Sequence, residues 1–95
     1  MAVVVGLLSV ELHLPGCRSL KDKRMVLRSL KDRLKKFNVS AAEVEYLDLW
    51  QRAGLGVTTV SNDRRHVEET LNAALAEIER VEPGAITRTE MELLT

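Results

Sequence analysis

The sequence predicts an α+β domain in which two helices lie on one face of a four-stranded antiparallel sheet. Three observations carry this prediction. The segments alternate in the order β-α-β-β-α-β, both helical segments carry a single apolar stripe, and the first strand is apolar enough to belong inside a sheet. Two stripes and a sheet bury one another most simply as two layers, with both helices on the same side.

The first strand runs from Ala2 to His13. It is rich in Val and Leu and becomes polar only towards Ser9, Glu11 and His13, which predicts a central strand buried on both faces at its start. Pro15-Gly16 breaks the pattern, and Ser19 stands where a helix cap is expected. From Leu20 to Phe37 the period becomes helical. Leu20, Leu27, Leu30, Leu34 and Phe37 share one side with Val26 at its margin, and Asn38 is a helix-ending residue.

Val39 to Trp50 is strand-like, but its apolar residues do not hold one phase, which predicts a bulge or a twisted edge strand. Gln51 to Ala53 is read as the turn into a third strand, Gly54 to Ser61, whose glycines admit close packing of a neighbour. Ser61-Asn62-Asp63 opens a second helix with Val67, Leu71, Ala74, Leu75, Ile78 and Val81 on one face. Pro83-Gly84 ends it, and Ala85 to Leu94 is the last strand, carrying Ile86, Met91 and Leu93. This is the ferredoxin-like βαββαβ sandwich, a superfold that hosts many unrelated functions and decides none.

Ninety-five residues, 45% hydrophobic and 29% charged, suffice for one hydrophobic core and argue against disorder. The expected organisation is one domain over 1–95. One cysteine, Cys17, supplies neither an internal disulfide nor a multi-thiolate metal site. The longest apolar run, Ala2 to Val10, is far short of the roughly 20 residues that cross a bilayer and lacks the start of a secretory leader. The expectation is a cytoplasmic protein with no membrane association and no cofactor.

Fourteen basic residues balance fourteen acidic ones, which excludes a uniformly basic nucleic-acid coat. The neutral total hides a strong asymmetry. Nine basic residues fall between Arg18 and Lys36 against only Asp22 and Asp32, so this stretch carries +7 and the rest of the chain −7. Within it Lys21, Arg24, Arg28, Lys31 and Lys35 form a narrow stripe beside the apolar face. Like charges at this spacing repel by a few tenths of a kcal/mol per pair. Two readings fit: a surface for phosphates or another anionic partner, or a solvated helix face neutralised by the acidic second helix. Arg33, Lys35 and Lys36 also sit where the helix dipole favours cations.

Tyr46 and Trp50, read onto the second strand, are candidates for core packing, a dimer contact or base stacking. A domain of this topology that stacks RNA bases carries aromatics on its two central strands, and here the first and third strands have none. His13 and His66 lack ligand-spaced neighbours, so no metal site is expected. Cys17 precedes a helix start near Arg18, a setting that lowers a thiol pKa, but no base partner accompanies it. The Leu14–Ser19 loop leads into a helix start and is a candidate anion site, although it lacks the phosphate-loop pattern of acylphosphatases. Ser61-Asn62-Asp63-Arg64-Arg65 is read as capping, with a second anion contact as the alternative.

Four ordered motifs add a resemblance. Ser19-Leu20-Lys21-Asp22-Lys23-Arg24, Phe37-Asn38-Val39-Ser40-Ala41-Ala42-Glu43-Val44, Asp48-Leu49-Trp50-Gln51-Arg52-Ala53 and Val60-Ser61-Asn62-Asp63 resemble the YlxP-like family of small bacterial proteins over nearly the whole chain. That resemblance implies a ferredoxin-like fold and carries over no catalytic residue. Genes of the family often neighbour those for transcription-elongation, translation-initiation and ribosome-maturation factors, which implies work around the ribosome or its RNA. In the Asp48-Trp50-Gln51-Arg52 run, folding roles would make Trp50 an anchor and pair Arg52 with Asp48.

The expectation is a non-enzymatic module that binds ribosomal RNA or a ribosome-assembly intermediate through Lys21, Arg24, Arg28, Lys31 and Lys35, with Arg18, Arg64 and Arg65 as outlying contacts. The alternative is a homodimeric interaction domain using Tyr46 and Trp50 without a nucleic-acid role. A third, an enzyme acting on an anion at the Pro15–Ser19 loop, lacks the acid–base pair it needs.

Overall fold

A computed structural model describes residues 2–95 and has the expected order of elements: β1 (Val4–His13), α1 (Leu20–Leu34), a 3₁₀ turn (Lys35–Phe37), β2 (Ser40–Glu45), β3 (Arg52–Ser61), α2 (Arg64–Val81) and β4 (Ile86–Leu94). The strands lie in the order β2-β3-β1-β4 and every neighbouring pair is antiparallel. β1 is therefore central, as its composition requires.

Alternation along the central strands sets the two faces. Val4, Leu8, Val10 and Leu12 of β1 and Ala53, Leu55 and Val57 of β3 are buried beneath the helices. Leu27, Leu30 and Leu34 of α1 and Val67, Leu71, Ala74 and Ile78 of α2 close the same core. Gly6 lets α2 come close, because a Cβ there would meet Val67 and Leu71 side chains. Among the described residues no helix covers the opposite face of the sheet. Val5, Leu7 and Glu11 are half-buried there and Ser9 is exposed. The expected burial of β1 on both faces is thus corrected to full burial on one.

Ser19 caps the first helix as expected, and within the Ser61-Asn62-Asp63 cluster it is Asp63 that caps the second. Ser19 Oγ accepts from Asp22 N at 3.0 Å, and Asp63 is the cap of α2, accepting from Arg65 N at 2.9 Å. Asn38 ends the first helical segment in the left-handed conformation, φ 60°, and Gly84 takes φ 76° in the turn into β4. The first helix is shorter than expected, since its last turn tightens to 3₁₀ at Lys35.

The largest correction concerns the hairpin between β2 and β3. β2 ends at Glu45, six residues long, and β3 begins at Arg52. The turn is therefore Tyr46–Gln51 and not Gln51–Ala53. The expected edge strand and bulge are both present, with the register shifting between Glu43 and Glu45. Past the bulge, a Cβ on Gly54 would lie 2.7 Å from Glu45 Cβ, so only glycine admits this approach.

Candidate functional site

Helix α1 carries the charged stripe along its outer side. Lys21, Arg24 and Arg28 are exposed, Lys31 is half-buried and Lys35 is exposed in the 3₁₀ turn. Lys21 to Lys35 spans about 21 Å at the helical rise. Lys35 pairs with Asp32 at 3.2 Å. Among the described residues the other four have no acidic partner within ion-pair distance.

The second helix does not neutralise this stripe. Its buried acid, Glu77, takes Arg80 at 2.6 Å and Lys36 at 3.4 Å, and Glu69 takes Arg65 at 3.3 Å. Hydrogen bonding from Arg80, helped by the charges of Arg80 and Lys36, lowers the Glu77 pKa from 4.5 to about 2 and raises that of Arg80. Arg65 is thereby engaged within its own helix, whereas Arg18 and Arg64 are exposed.

Lys23 belongs to the same basic run but not to the stripe. It stands on the apolar side of α1 and is 1% exposed. Its Nζ donates to the carbonyl oxygens of Tyr46 at 2.8 Å, Arg52 at 3.2 Å and Leu47 at 3.4 Å, and lies 2.7 Å from Glu43 Oε2. Apart from this ion contact the buried Oε2 has no hydrogen-bond partner among the described residues. One ammonium thus fastens both ends of the β2–β3 turn to α1. Its helical spacing from Leu20, Leu27, Leu30 and Leu34 is the signal that places a lysine on the apolar face.

The turn it holds is strained and stitched. Tyr46 adopts φ 61°, uncommon for a bulky side chain. Its carbonyl also accepts from Leu49 N at 3.0 Å, its hydroxyl donates to Glu11 at 2.9 Å, and the Arg52 guanidinium lies 4.0 Å from its ring centre. Arg52 pairs with Glu11 at 3.2 Å and not with Asp48 as expected. The Tyr46 hydrogen bond and then that of Arg52 hold the Glu11 carboxyl below its ordinary pKa, while the same Glu11 contact raises the Tyr46 phenol. Gln51 Nε2 adds hydrogen bonds to the carbonyls of Pro15 and Cys17, each 3.2 Å.

Tyr46 and Trp50 therefore lie in this turn and not on a strand. Tyr46 is half-buried and engaged, while Trp50 is 54% exposed beside the exposed Leu47 and Leu49. The core-anchor reading of Trp50 is overturned: the strand ends at the bulge, and the turn carries the indole outwards.

Two other candidates change. The Leu14–Ser19 loop is not an open anion cradle, because Asp22 accepts from Arg18 N at 2.9 Å and Ser19 caps the helix. Cys17 is buried, and burial, followed by the charges of Asp22 and Glu82, raises its thiol pKa where the sequence suggested a lowering. It lines a groove of about 730 Å³ with Leu14, Met25, Val26, Pro83 and Ala85. His13 and His66 are exposed, at a strand end and in the first turn of α2. Among the described residues no three His, Cys, Asp or Glu side chains converge as a metal site, and no helix is long and apolar enough to cross a membrane.

Fold and surface together define a two-layer ferredoxin-like domain with unpaired cations along one helix and an uncovered sheet face. The model of a protein family of unknown function, DUF503, matches residues 5–91, and the chain belongs to this family. It is 40% identical over 94 residues to the uncharacterized protein YlxP of Bacillus subtilis (strain 168), covering 92% of this chain and 98% of that one.

Solved structures share the fold alone. The de novo designed protein Foldit4 has a TM-score of 0.61 at 14% identity, over 98% of this chain and 97% of that one. SnoaB, a cofactor-independent oxygenase from Streptomyces nogalater, has 0.58 at 14%, over 100% and 93%. A C-terminal segment of the alpha subunit of aIF2 from Pyrococcus abyssi has 0.54 at 24%, over 99% and 51%.

Proposed function

We propose that the chain is a non-enzymatic cytoplasmic module that binds structured RNA, in the ribosome or an assembly intermediate of it, through the outer side of α1. The observation that carries this reading is the set of four stripe cations, Lys21, Arg24, Arg28 and Lys31, without an acidic partner among the described residues. Their mutual repulsion is relieved by phosphates, which release counterions as they bind. Such contacts position a backbone and read no bases. The sheet face supports this division of labour, since Glu11, Glu90 and Glu92 and no aromatic of β1 or β3 lie on the central and edge strands there.

The test is binding of the purified protein to small ribosomal subunits, their precursors and free RNA across a salt series. Four phosphate contacts give a log–log salt slope on the order of −3 to −4, so affinity falls about 100-fold between 50 and 200 mM salt. The variant Lys21→Glu/Arg24→Glu/Arg28→Glu keeps its circular dichroism spectrum and loses binding. Retained binding by this folded variant, or no binding by the parent at low salt, overturns the proposal.

A further inference from the structure

We propose that the uncovered face of the sheet is the contact between two copies of this chain. Across it, Val5 of β1 stands opposite Val60 of β3 on one side and Leu94 of β4 on the other. These three form an apolar row over neighbouring strands, and Leu7 extends it along β1. Val60 is 60% exposed and Leu94 58%, with Val3, just before β1, at 45%. An exposed row of this kind across one end of a sheet has no structural use in a lone copy, because the core lies on the other face.

The other half of the face says what the occupant is. Glu11 is taken by Tyr46 and Arg52, and Arg88 pairs with Glu90 at 3.2 Å. Four of its charges are thus matched inside the chain, while Glu92, opposite Leu7, and Glu45, beside Gly54, have no cation within ion-pair distance among the described residues, so the face is mixed and not strongly charged. The apolar row complements itself: a two-fold axis lying along the strands sets row against row.

The area agrees. Strands of 10, 6, 10 and 9 residues, at about 3.3 Å per residue and about 4.8 Å between strands, present roughly 550 Å² per copy. Full overlap of the two faces buries roughly 1,100 Å², comparable to the ~1,000 Å² that a specific interface needs. Because the helices cover the opposite face, the pair carries two charged stripes pointing outwards on its two sides. This contact is independent of what those stripes bind.

Sedimentation of the full chain at tens of micromolar tests it. The expected species is a dimer of the 10.7 kDa chain. Val60→Glu, and separately Leu94→Glu near the chain end, change side chains already exposed in one copy. Each keeps the circular dichroism spectrum and weakens the dimer at least tenfold, whereas Trp50→Ala leaves it intact. A monomer at these concentrations overturns the proposal. So does an oligomer that both charge variants leave unchanged, or one that Trp50→Ala dissolves while they do not.

Discussion

Replacing Lys23 by methionine keeps an unbranched side chain, one atom shorter, and removes its charge. Three carbonyls at 2.8–3.4 Å lose their shared donor, and Glu43, at 2.7 Å, loses its cation. Removing one partner of a buried ion pair costs about 3–5 kcal/mol, because the other charge stays behind unpaired. Glu43 keeps 15% exposure and the carbonyls of Tyr46 and Leu47 belong to a surface turn, so water recovers part of this and about 3 kcal/mol is expected. In a domain of this size that lowers Tm by about 12–24 °C. Urea unfolding followed by circular dichroism gives the global loss, and Trp50 fluorescence follows the turn itself. The double variant Lys23→Met/Glu43→Leu should recover at least about 1 kcal/mol relative to the sum of the singles. A loss below about 1 kcal/mol, or an additive cycle, would refute the assignment of Lys23 as the fastening of the hairpin.

Two further outcomes follow from the core and from the junction of the helices. Gly6→Ala places a Cβ 2.7 Å from Leu71 Cδ1 and closer still to Val67, and urea denaturation should show a loss of about 1–3 kcal/mol from overpacking. Glu77 has a folded pKa of about 2 against an ordinary 4.5. A lowered carboxylate pKa stabilises the fold above about pH 4.5, and that contribution disappears as the pH falls towards 2. The parent should therefore exceed Glu77→Gln in stability at pH 7, and the gap should close between about pH 4.5 and 2. A gap independent of pH would detach Glu77 from its two cations. The lowered Glu11 carboxyl adds acid sensitivity of the same sign to both proteins, so the difference between them is the quantity to read.

Local pattern was enough for the element types and their order. The two caps, the end of the first helical segment at Asn38 and the bulge in the edge strand could all be read from residues within a few positions of one another. The charge stripe was equally legible, because five side chains on one helix share a side wherever that helix is placed. How many faces of β1 are buried is not legible locally, since an apolar strand does not say whether a second layer exists.

Sequence alone determined the βαββαβ order, the single core formed by two apolar stripes, and the concentration of positive charge on the first helix. Each follows from periodicity along a short stretch of chain. Tertiary structure alone decided what Lys23, Tyr46, Trp50 and Arg52 do. Lys23 lies 23 residues from Tyr46 and 29 from Arg52 in the chain, and no local rule tells a lysine that repels its helical neighbours from one that satisfies distant carbonyls. Only when α1 lies beside the hairpin does one ammonium become the fastening of the turn. The same packing leaves Lys21, Arg24, Arg28 and Lys31 without acids among the described residues, while Glu77 is drawn to Lys36 and Arg80. Which charges meet is set by how the layers stack, a long-range property that composition and spacing do not contain.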